Sequence, residues 1–547
     1  MKKRIPIGIS DYQELKTENY YTVDKSLLIQ EFLDSGAKVT MITRPRRFGK
    51  TLNMSMLAEF FDISKDSKDI FKDTAIMETT YSNKMNQYPT ISLSFANCKG
   101  TENYLRMNIF YLLRKKMAEY LPLLTNEKLN DDFIKQYQLV YHALVSETDL
   151  ARIQFSINLM CELLYKVYGK RVMLFIDEYD TPFIEAHINN CYDAFHNVLA
   201  GMLSNVLKDN PYLQHAMLTG IQRVAKENIF SGLNNLEVHT VKDKAYAYHF
   251  GFLKDEVEAM SEYYDVAYND EVKAMYDGYY IGGIDIYNPW SIINYVKRDE
   301  LIPFWVNVSS NMMIRNAKQS ADQDFIQQYE TLIRTKKMET IIDLETSFYE
   351  YSSNASLWGL FVNAGYLTIK SIRGDLYTLE IPNNEIAEEF KKLTFAYLKK
   401  DLDSFTVMMY GIYNKEPEMF IENYRRFLLK STSYHDLISE NSYHTLLLGL
   451  CASLYSDYDV KSNQEAGKGR YDILLQCKTR KYPSYILELK YVKHDEFEKH
   501  PDILKDKCKE ALKQIETNKY STAIQGPLIY IALAHSGKEV EMEWITQ

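Results

Sequence analysis

The 547-residue sequence is poor in the features that mark specialised protein classes. It has only six cysteines, Cys98, Cys161, Cys191, Cys451, Cys477 and Cys508, and no two stand at a metal-ligand spacing. That excludes a zinc ribbon and a disulfide framework, and the thiols are expected to be reduced and structural. Its eleven histidines include no H-x-x-x-H pair, so no zinc site is legible. No apolar stretch is long enough to cross a bilayer. The opening Met1-Lys2-Lys3-Arg4-Ile5-Pro6 is basic but lacks the apolar core of a signal peptide. These absences predict a cytoplasmic protein with no membrane partner. Basic residues are also in deficit: 64 Lys and Arg face 74 Asp and Glu, a net charge of −10. A uniformly basic nucleic-acid coat is thereby excluded, whereas a local basic groove is not.

What is present is ordinary globular material, 46% hydrophobic and 25% charged. The length exceeds one core and predicts roughly three domains. Tyrosine is abundant, with 44 residues. Aromatic rings can stack on bases, but these are spread along the whole chain, which fits packing better.

Near the N-terminus an apolar run, Val39-Thr40-Met41-Ile42-Thr43, leads into Arg44-Pro45-Arg46-Arg47-Phe48-Gly49-Lys50-Thr51, and a helical pattern follows. This is the layout of a phosphate-binding P-loop. Backbone N–H groups and the positive end of a helix hold the phosphates. Gly49 permits close approach, Lys50 reaches the β- and γ-phosphates, and the Thr51 hydroxyl ligates Mg²⁺. The first glycine of the G-x-x-x-x-G-K-[ST] pattern is replaced by Arg44, so the loop must enter differently. Arg44, Arg46 and Arg47 are expected to add positive charge near the phosphates. The alternative is a surface Gly-Lys-Thr without a ligand.

A second element favours the nucleotide. Arg171-Val172-Met173-Leu174-Phe175-Ile176-Asp177-Glu178 is an apolar run of buried-strand length ending in two carboxylates, the Walker B pattern. Asp177 would bind Mg²⁺ and Glu178 would polarise the attacking water, at the strand edge where open α/β sheets bind ligands. In Ala216-Met217-Leu218-Thr219-Gly220-Ile221-Gln222-Arg223, Thr219 could sense the γ-phosphate and Arg223 could stabilise transferred charge. An ordinary polar strand end is the alternative there. His215 reads as a packing or surface residue. Tyr20-Tyr21-Thr22-Val23-Asp24-Lys25 could line the base end of the site.

Alternating strand candidates (38–43, 90–95, 171–176, 215–220) and helical patterns (51–62, 103–120, 152–168, 191–208) predict an α/β P-loop domain over 1–245, with a mostly parallel sheet flanked by helices. Residues 246–410 read as a helical, winged-helix-like lid or coupling domain, with a small hairpin around Arg373-Gly374-Asp375 and a helix opened by Asn288-Pro289-Trp290. Residues 411–547 read as a separate α/β unit of balanced charge. Within it, Gly467-Lys468-Gly469-Arg470-Tyr471-Asp472 delivers an aspartate to the strand Ile473-Leu474-Leu475-Gln476. Lys478, Arg480 and Pro483 mark a turn before Tyr485-Ile486-Leu487-Glu488-Leu489-Lys490. Asp472 and Glu488 then fall on adjacent strands, with Lys490 on the same face as Glu488.

Asp…Glu-x-Lys suits metal-dependent phosphodiester cleavage. Asp472 and Glu488 would hold Mg²⁺, a hard cation that takes oxygen ligands, and Lys490 would orient water or neutralise developing charge. Glu440 could add a carboxylate. Gln514, on a helix followed by Lys519 and Tyr520, could contact phosphate or water. A Glu–Lys surface pair is the alternative, but a carboxylate in an apolar strand is expensive unless paired or metal-bound.

Together the stretches Tyr21–Lys25, Arg44–Thr51, Phe175–Asp180, Leu218–Arg223, Gly467–Asp472 and Glu488–Lys490 resemble a bacterial family with an N-terminal AAA-ATPase-like domain and a C-terminal domain of the PD-(D/E)XK nuclease superfamily, whose fold is restriction-endonuclease-like. The resemblance implies nucleotide roles for Lys50, Thr51, Asp177 and Glu178. It implies nuclease roles for Asp472, Glu488 and Lys490, with Glu440 and Gln514 as helix-borne supports. It also explains the arginine at the first P-loop position. Implied cofactors are ATP and Mg²⁺ at both sites, and the implied partner is DNA, with RNA as an alternative and a homo-oligomer open. A link to mobile elements or phage defence is an expectation of the same kind. The leading expectation is an ATP-binding, Mg²⁺-dependent nuclease in which nucleotide closes the middle domain and so gates substrate access. The competing expectations are a nucleotide-switched nucleic-acid-binding or signalling module that does not cut, and an ATPase that moves along DNA.

Overall fold

A computed structural model of the chain describes residues 2–147, 149–223, 235–305, 323–345, 353–397, 402–431, 439–451, 454, 457–462, 465–466, 469–479, 481–518, 524 and 526–546. Gly467, Lys468, Arg480, Lys519 and Tyr520 lie outside the described residues. The chain forms two compact units. One comprises Met1–Asp322 with Lys337–Ala387, the other Gln323–Lys336 with Glu388–Gln547. Among the described residues no helix is long and apolar enough to cross a membrane.

The first unit is built on five parallel strands, β1 (Val39–Thr43), β2 (Thr90–Ser94), β3 (Val172–Asp177), β4 (Leu213–Gly220) and β5 (Leu236–His239), in the order β2-β3-β4-β1-β5. Every residue of β1 and β3 is buried, as a strand covered on both faces requires. Alternation divides the side chains of β3 between the two faces. Val172, Leu174 and Ile176 pack with residues of the helices Glu102–Glu119, Ser156–Tyr168 and Tyr192–Leu207. Met173 and Phe175 pack on the other side with Met54, Leu57 and Phe61 of the helix Lys50–Phe61. Strand register brings Ser94 beside Asp177 and Thr43 beside Gly220, so the polar strand ends share one edge.

The described residues within 246–305, 337–345 and 353–387 lie in this same unit. They contribute helices, the hairpin β6 (Tyr279–Ile281) and β7 (Ile284–Ile286), and the antiparallel sheet β8-β10-β9, formed by β8 (Lys337–Thr340), β9 (Thr368–Arg373) and β10 (Leu376–Glu380). The hairpin expected around Arg373-Gly374-Asp375 is β9–β10. Asn288 caps the helix Pro289–Arg298 by accepting from the N–H groups of Trp290 and Ser291.

The second unit carries a mixed sheet, β11-β14-β15-β16-β17, made of β11 (Tyr458–Ser462), β14 (Ile473–Cys477), β15 (Ser484–Tyr491), β16 (Leu528–Ser536) and β17 (Glu539–Thr546). A two-stranded pair, β12 (Glu465–Ala466) and β13 (Gly469–Arg470), precedes β14. Only β15 and β16 run parallel; the other neighbours are antiparallel. One face of β15 (Tyr485, Leu487, Leu489) packs with the helices Pro417–Ser431 and Glu440–Cys451. Ile486, on the other face, packs with the helix Ile503–Asn518. Glu488 and Lys490 share that second face with Ile486.

His535 in β16 is fully buried, 4.1 Å from the Tyr443 ring and 3.0 Å from the Tyr424 hydroxyl. Burial pushes its pKa down to about 3, whereas an unfolded histidine titrates at about 6.5. Between those values the unfolded chain binds the extra proton. The neutral ring's contribution to stability is therefore complete above about pH 6.5 and is lost as pH falls toward 3. Hydrogen-exchange protection of β16, corrected for intrinsic rates, should decline over that window by about one proton's slope more in the wild type than in His535→Phe. Equal slopes would contradict the assignment.

Candidate functional site

The P-loop joins β1 to the helix Lys50–Phe61. Gly49 takes φ 82°, a left-handed conformation that opens this helix without a side-chain cap. Lys50 is buried, and its Nζ donates to the carbonyls of Arg44 (3.1 Å) and Pro45 (3.0 Å). Thr51 Oγ1 donates to Asp177 Oδ2 (2.7 Å), and Thr219 Oγ1 to Asp177 Oδ1 (2.7 Å). Two of the expected nucleotide-site residues, one from the P-loop helix and one from β4, thus converge on the buried carboxylate of a third. Burial, then the neighbouring Glu178, raises the Asp177 pKa. Glu178 sits at φ 52° and accepts from Thr181 Oγ1 (3.0 Å). Burial pushes its carboxyl up, but Lys50 and Arg46 outweigh that and hold it below the ordinary range. A hydroxyl and a carboxylate at a P-loop, beside a second carboxylate, form an oxygen-rich set that fits Mg²⁺.

The arginines do not all face the phosphates. Arg44 is fully buried, and its guanidinium donates to the carbonyls of Thr43 (2.9 Å), His239 (3.2 Å) and Ala245 (3.3 Å). Its expected contribution of charge to the phosphates is corrected. It ties the loop entry to the end of β5, and burial lowers its pKa to about 10. Arg47 is also turned outward. Its guanidinium lies 4.6 Å from the Trp290 ring and donates to the Phe304 carbonyl (3.0 Å). The rest of the loop is gripped by the same segment. Asn288 Nδ2 donates to the Arg46 carbonyl (3.4 Å), and Phe48 meets Tyr279 edge-on at 5.0 Å. Gly365, at φ 89°, leaves no room for a Cβ, which would lie 2.8 Å from the Pro45 ring. Buried Glu385 stiffens this seat by accepting from the N–H groups of Phe304 (2.6 Å) and Trp305 (2.8 Å). Arg223 is paired with Glu345 (3.0 Å).

Beside the loop, Tyr21, Thr22, Val23, Phe48, Leu52 and Met56 line a cavity, so the Tyr20–Lys25 stretch does reach the P-loop helix. Sequence reasoning gave no role to Ser94 or Asp180. Ser94 Oγ donates to Asp177 Oδ2 (3.2 Å). Asp180 is fully buried and accepts from the N–H groups of Ile221 (2.8 Å) and Gln222 (2.9 Å), which fastens β3 to the end of β4. Burial and Glu178 push its pKa up to about 6. The Asp-Glu-Tyr-Asp run was the available signal.

In the second unit, the antiparallel register of β14 and β15 ends at Ile473–Leu487, which leaves Asp472, one residue earlier, close to Glu488. Asp472 Oδ2 accepts from the Leu489 N–H (2.7 Å). Glu488 is 1% exposed. Its Oε1 accepts from Gln514 Nε2 and lies 3.5 Å from Lys490 Nζ, which donates to Gln514 Oε1 (2.8 Å). Glu488 Oε2 is buried with no hydrogen-bond partner. Burial, then Asp472, pushes the Glu488 carboxyl up to about 8, and burial also raises Asp472. Two adjacent carboxylates, one with an orphaned buried oxygen, fit a divalent cation, which would satisfy that oxygen and neutralise the pair. Among the described residues no group of three or more His, Cys, Asp or Glu forms a metal cage. Glu440 is exposed in the first turn of its helix and makes no hydrogen bond or ion pair with this cluster. One turn on, His444 does reach it: Nε2 lies 3.1 Å from the Asp472 carbonyl and 3.0 Å from Ser462 Oγ. Sequence reasoning missed His444, whose i,i+4 spacing from Glu440 was the only signal.

Comparison with known proteins matches two regions of the chain. Residues 6–230 match the family described as Predicted AAA-ATPase, and residues 438–544 match the PD-(D/E)XK nuclease superfamily. A protein of Azotobacter chroococcum mcd 1, described as "Uncharacterized protein in vnfD 5'region", is similar: 25% identical over 402 residues, 70% of this chain and 68% of that protein.

Because Arg44 holds backbone and not ligand, Arg44→Met should lower unfolding stability by about 2–4 kcal/mol, read by urea titration. Nucleotide affinity of the folded variant should stay near that of the wild type. Unchanged stability with lost nucleotide binding would make Arg44 a phosphate ligand.

Proposed function

We propose that this chain, which joins an AAA-ATPase-like domain to a C-terminal PD-(D/E)XK nuclease-superfamily domain, is an ATP-binding, Mg²⁺-dependent nuclease that cleaves DNA under nucleotide control. The observation that carries the reading is the Asp472–Glu488–Lys490–Gln514 cluster with its orphaned Glu488 oxygen.

A metal bound by Asp472 and Glu488 would supply charge for the scissile phosphate and a lower pKa for the attacking water. The chain's own residues do the rest. Leu489 N–H fixes the Asp472 carboxylate. Gln514 bridges Glu488 and Lys490 and so holds the ammonium beside the carboxylates. From there Lys490 offsets charge developing on the phosphodiester.

At the P-loop, Lys50 rests on two loop carbonyls, which a triphosphate would displace as acceptors. Thr51 and Asp177 would hold Mg²⁺ and Glu178 would polarise water, so that ATP is hydrolysed as well as bound. Thr219 stays a support of Asp177. The apolar cavity beside Gly49 suits a nucleoside base, with Tyr21 and Phe48 in its wall. Control would run through the contacts that Arg46, Arg47 and Phe48 make with the 279–304 segment. Any movement of the loop on binding phosphate is felt by Asn288, Trp290 and Tyr279, which grip it.

The test is cleavage of linear, circular and single-stranded DNA with Mg²⁺ or Mn²⁺, with and without ATP. Asp472→Ala should abolish cutting and spare nucleotide binding, and cutting retained by that variant would refute the site. Lys50→Ala should weaken ATP binding at least roughly tenfold, the scale of a lost charge-assisted contact; unchanged affinity would refute the P-loop reading. ATP binding should also change the emission of Trp290, and Arg47→Ala should blunt that change. No response in the wild type would remove the proposed coupling.

A further inference from the structure

Glu440, from which the family resemblance expects a helix-borne carboxylate, stands exposed and uncoupled from the cluster. The residue on that helix that does engage the cluster is His444, 6% exposed. Its Nε2 lies 3.1 Å from the backbone carbonyl of Asp472. A carbonyl only accepts, so Nε2 carries the hydrogen and donates. The Ser462 hydroxyl, on β11, sits 3.0 Å from the same nitrogen and shares the bond.

This junction joins three elements at one point: the helix Glu440–Cys451, β11, and the residue that immediately precedes β14. Asp472 is at a vulnerable position. It lies ahead of the first β14 residue that pairs with β15, Ile473, which is opposite Leu487. The ladder holds only the far side of its peptide, through Ile473, which pairs with Leu487 of β15 and Ser462 of β11. On the near side Leu489 N–H holds the Asp472 carboxylate and His444 holds the carbonyl. Losing the His444 bond loosens the carbonyl and lets the carboxylate shift relative to Glu488.

We infer that His444 is a positioning residue of the divalent-cation site, acting through the Asp472 peptide. The inference rests on the metal-dependent reading of that site. It calls for a hydrogen donor at the Nε2 position and not for the imidazole itself. Glutamine places an amide NH₂ the same number of bonds from Cα as histidine Nε2, whereas asparagine reaches only as far as Nδ1. Outer-shell partners of metal ligands typically change affinity by about 10–100-fold.

The experiment is calorimetric titration of the full chain with Mn²⁺, without DNA or nucleotide. Asp177→Asn serves as background to suppress metal binding at the P-loop. Urea melts of each metal-free variant provide the folding control. In that background Asp472→Asn should lose binding. His444→Gln should bind within about threefold of the background protein and His444→Asn about tenfold or more weaker, at matched stability. If Asp472→Asn loses binding while both His444 variants bind like the background, or both are weakened equally, the positioning role is overturned and the metal site stands. If the background protein binds no Mn²⁺, or Asp472→Asn binds it unchanged, the metal-site reading fails and this inference with it.

Discussion

Both sites are organised by the cost of burying a carboxylate on an inner strand of a sheet. An ionised carboxylate is costly in an apolar interior unless hydrogen bonds or cations compensate it. In β3 the compensation is local: Asp177 collects hydroxyls from Thr51, Thr219 and Ser94. These come from the P-loop helix, β4 and β2, so a single side chain fixes the relative positions of three segments. In β15 the compensation is incomplete. Glu488 receives Gln514 and Lys490 on one oxygen and nothing on the other. Burial and the neighbouring Asp472 push its pKa up to about 8, and a cation bound there would oppose that shift.

The degenerate P-loop follows from what surrounds it. In the usual motif the first loop residues need only let phosphate approach. Here each residue from 44 to 48 has a second task. Arg44 supports the end of β5, Pro45 presses on Gly365, the Arg46 carbonyl is held by Asn288, Arg47 lies over Trp290, and Phe48 meets Tyr279. A glycine in place of Arg44 would leave the carbonyls of His239 and Ala245 without their donor.

Much of this was legible in the sequence because it depends on local pattern. The four apolar runs and the helices between them announced the parallel sheet, and period-two counting put Glu488 and Lys490 on one face of a strand adjacent to the one that follows Asp472. What could not be read depends on long-range packing. Whether Arg44 points toward a ligand or toward β5 is decided by carbonyls some 195 and 201 residues away. Glu440 and His444 sit one turn apart on the same helix, and only the tertiary placement of that helix decides which of them reaches the cluster. Asp180 was visible as a residue but not as a clamp, since its partners are backbone N–H groups just past the end of another strand.

The most direct test of this account is anomalous diffraction from crystals of the full chain grown with Mn²⁺ and no nucleotide. The account predicts a peak within bonding distance of Glu488 Oε2 and the Asp472 carboxylate. Crystals that show ordered Mn²⁺ elsewhere and none between those two carboxylates would contradict it.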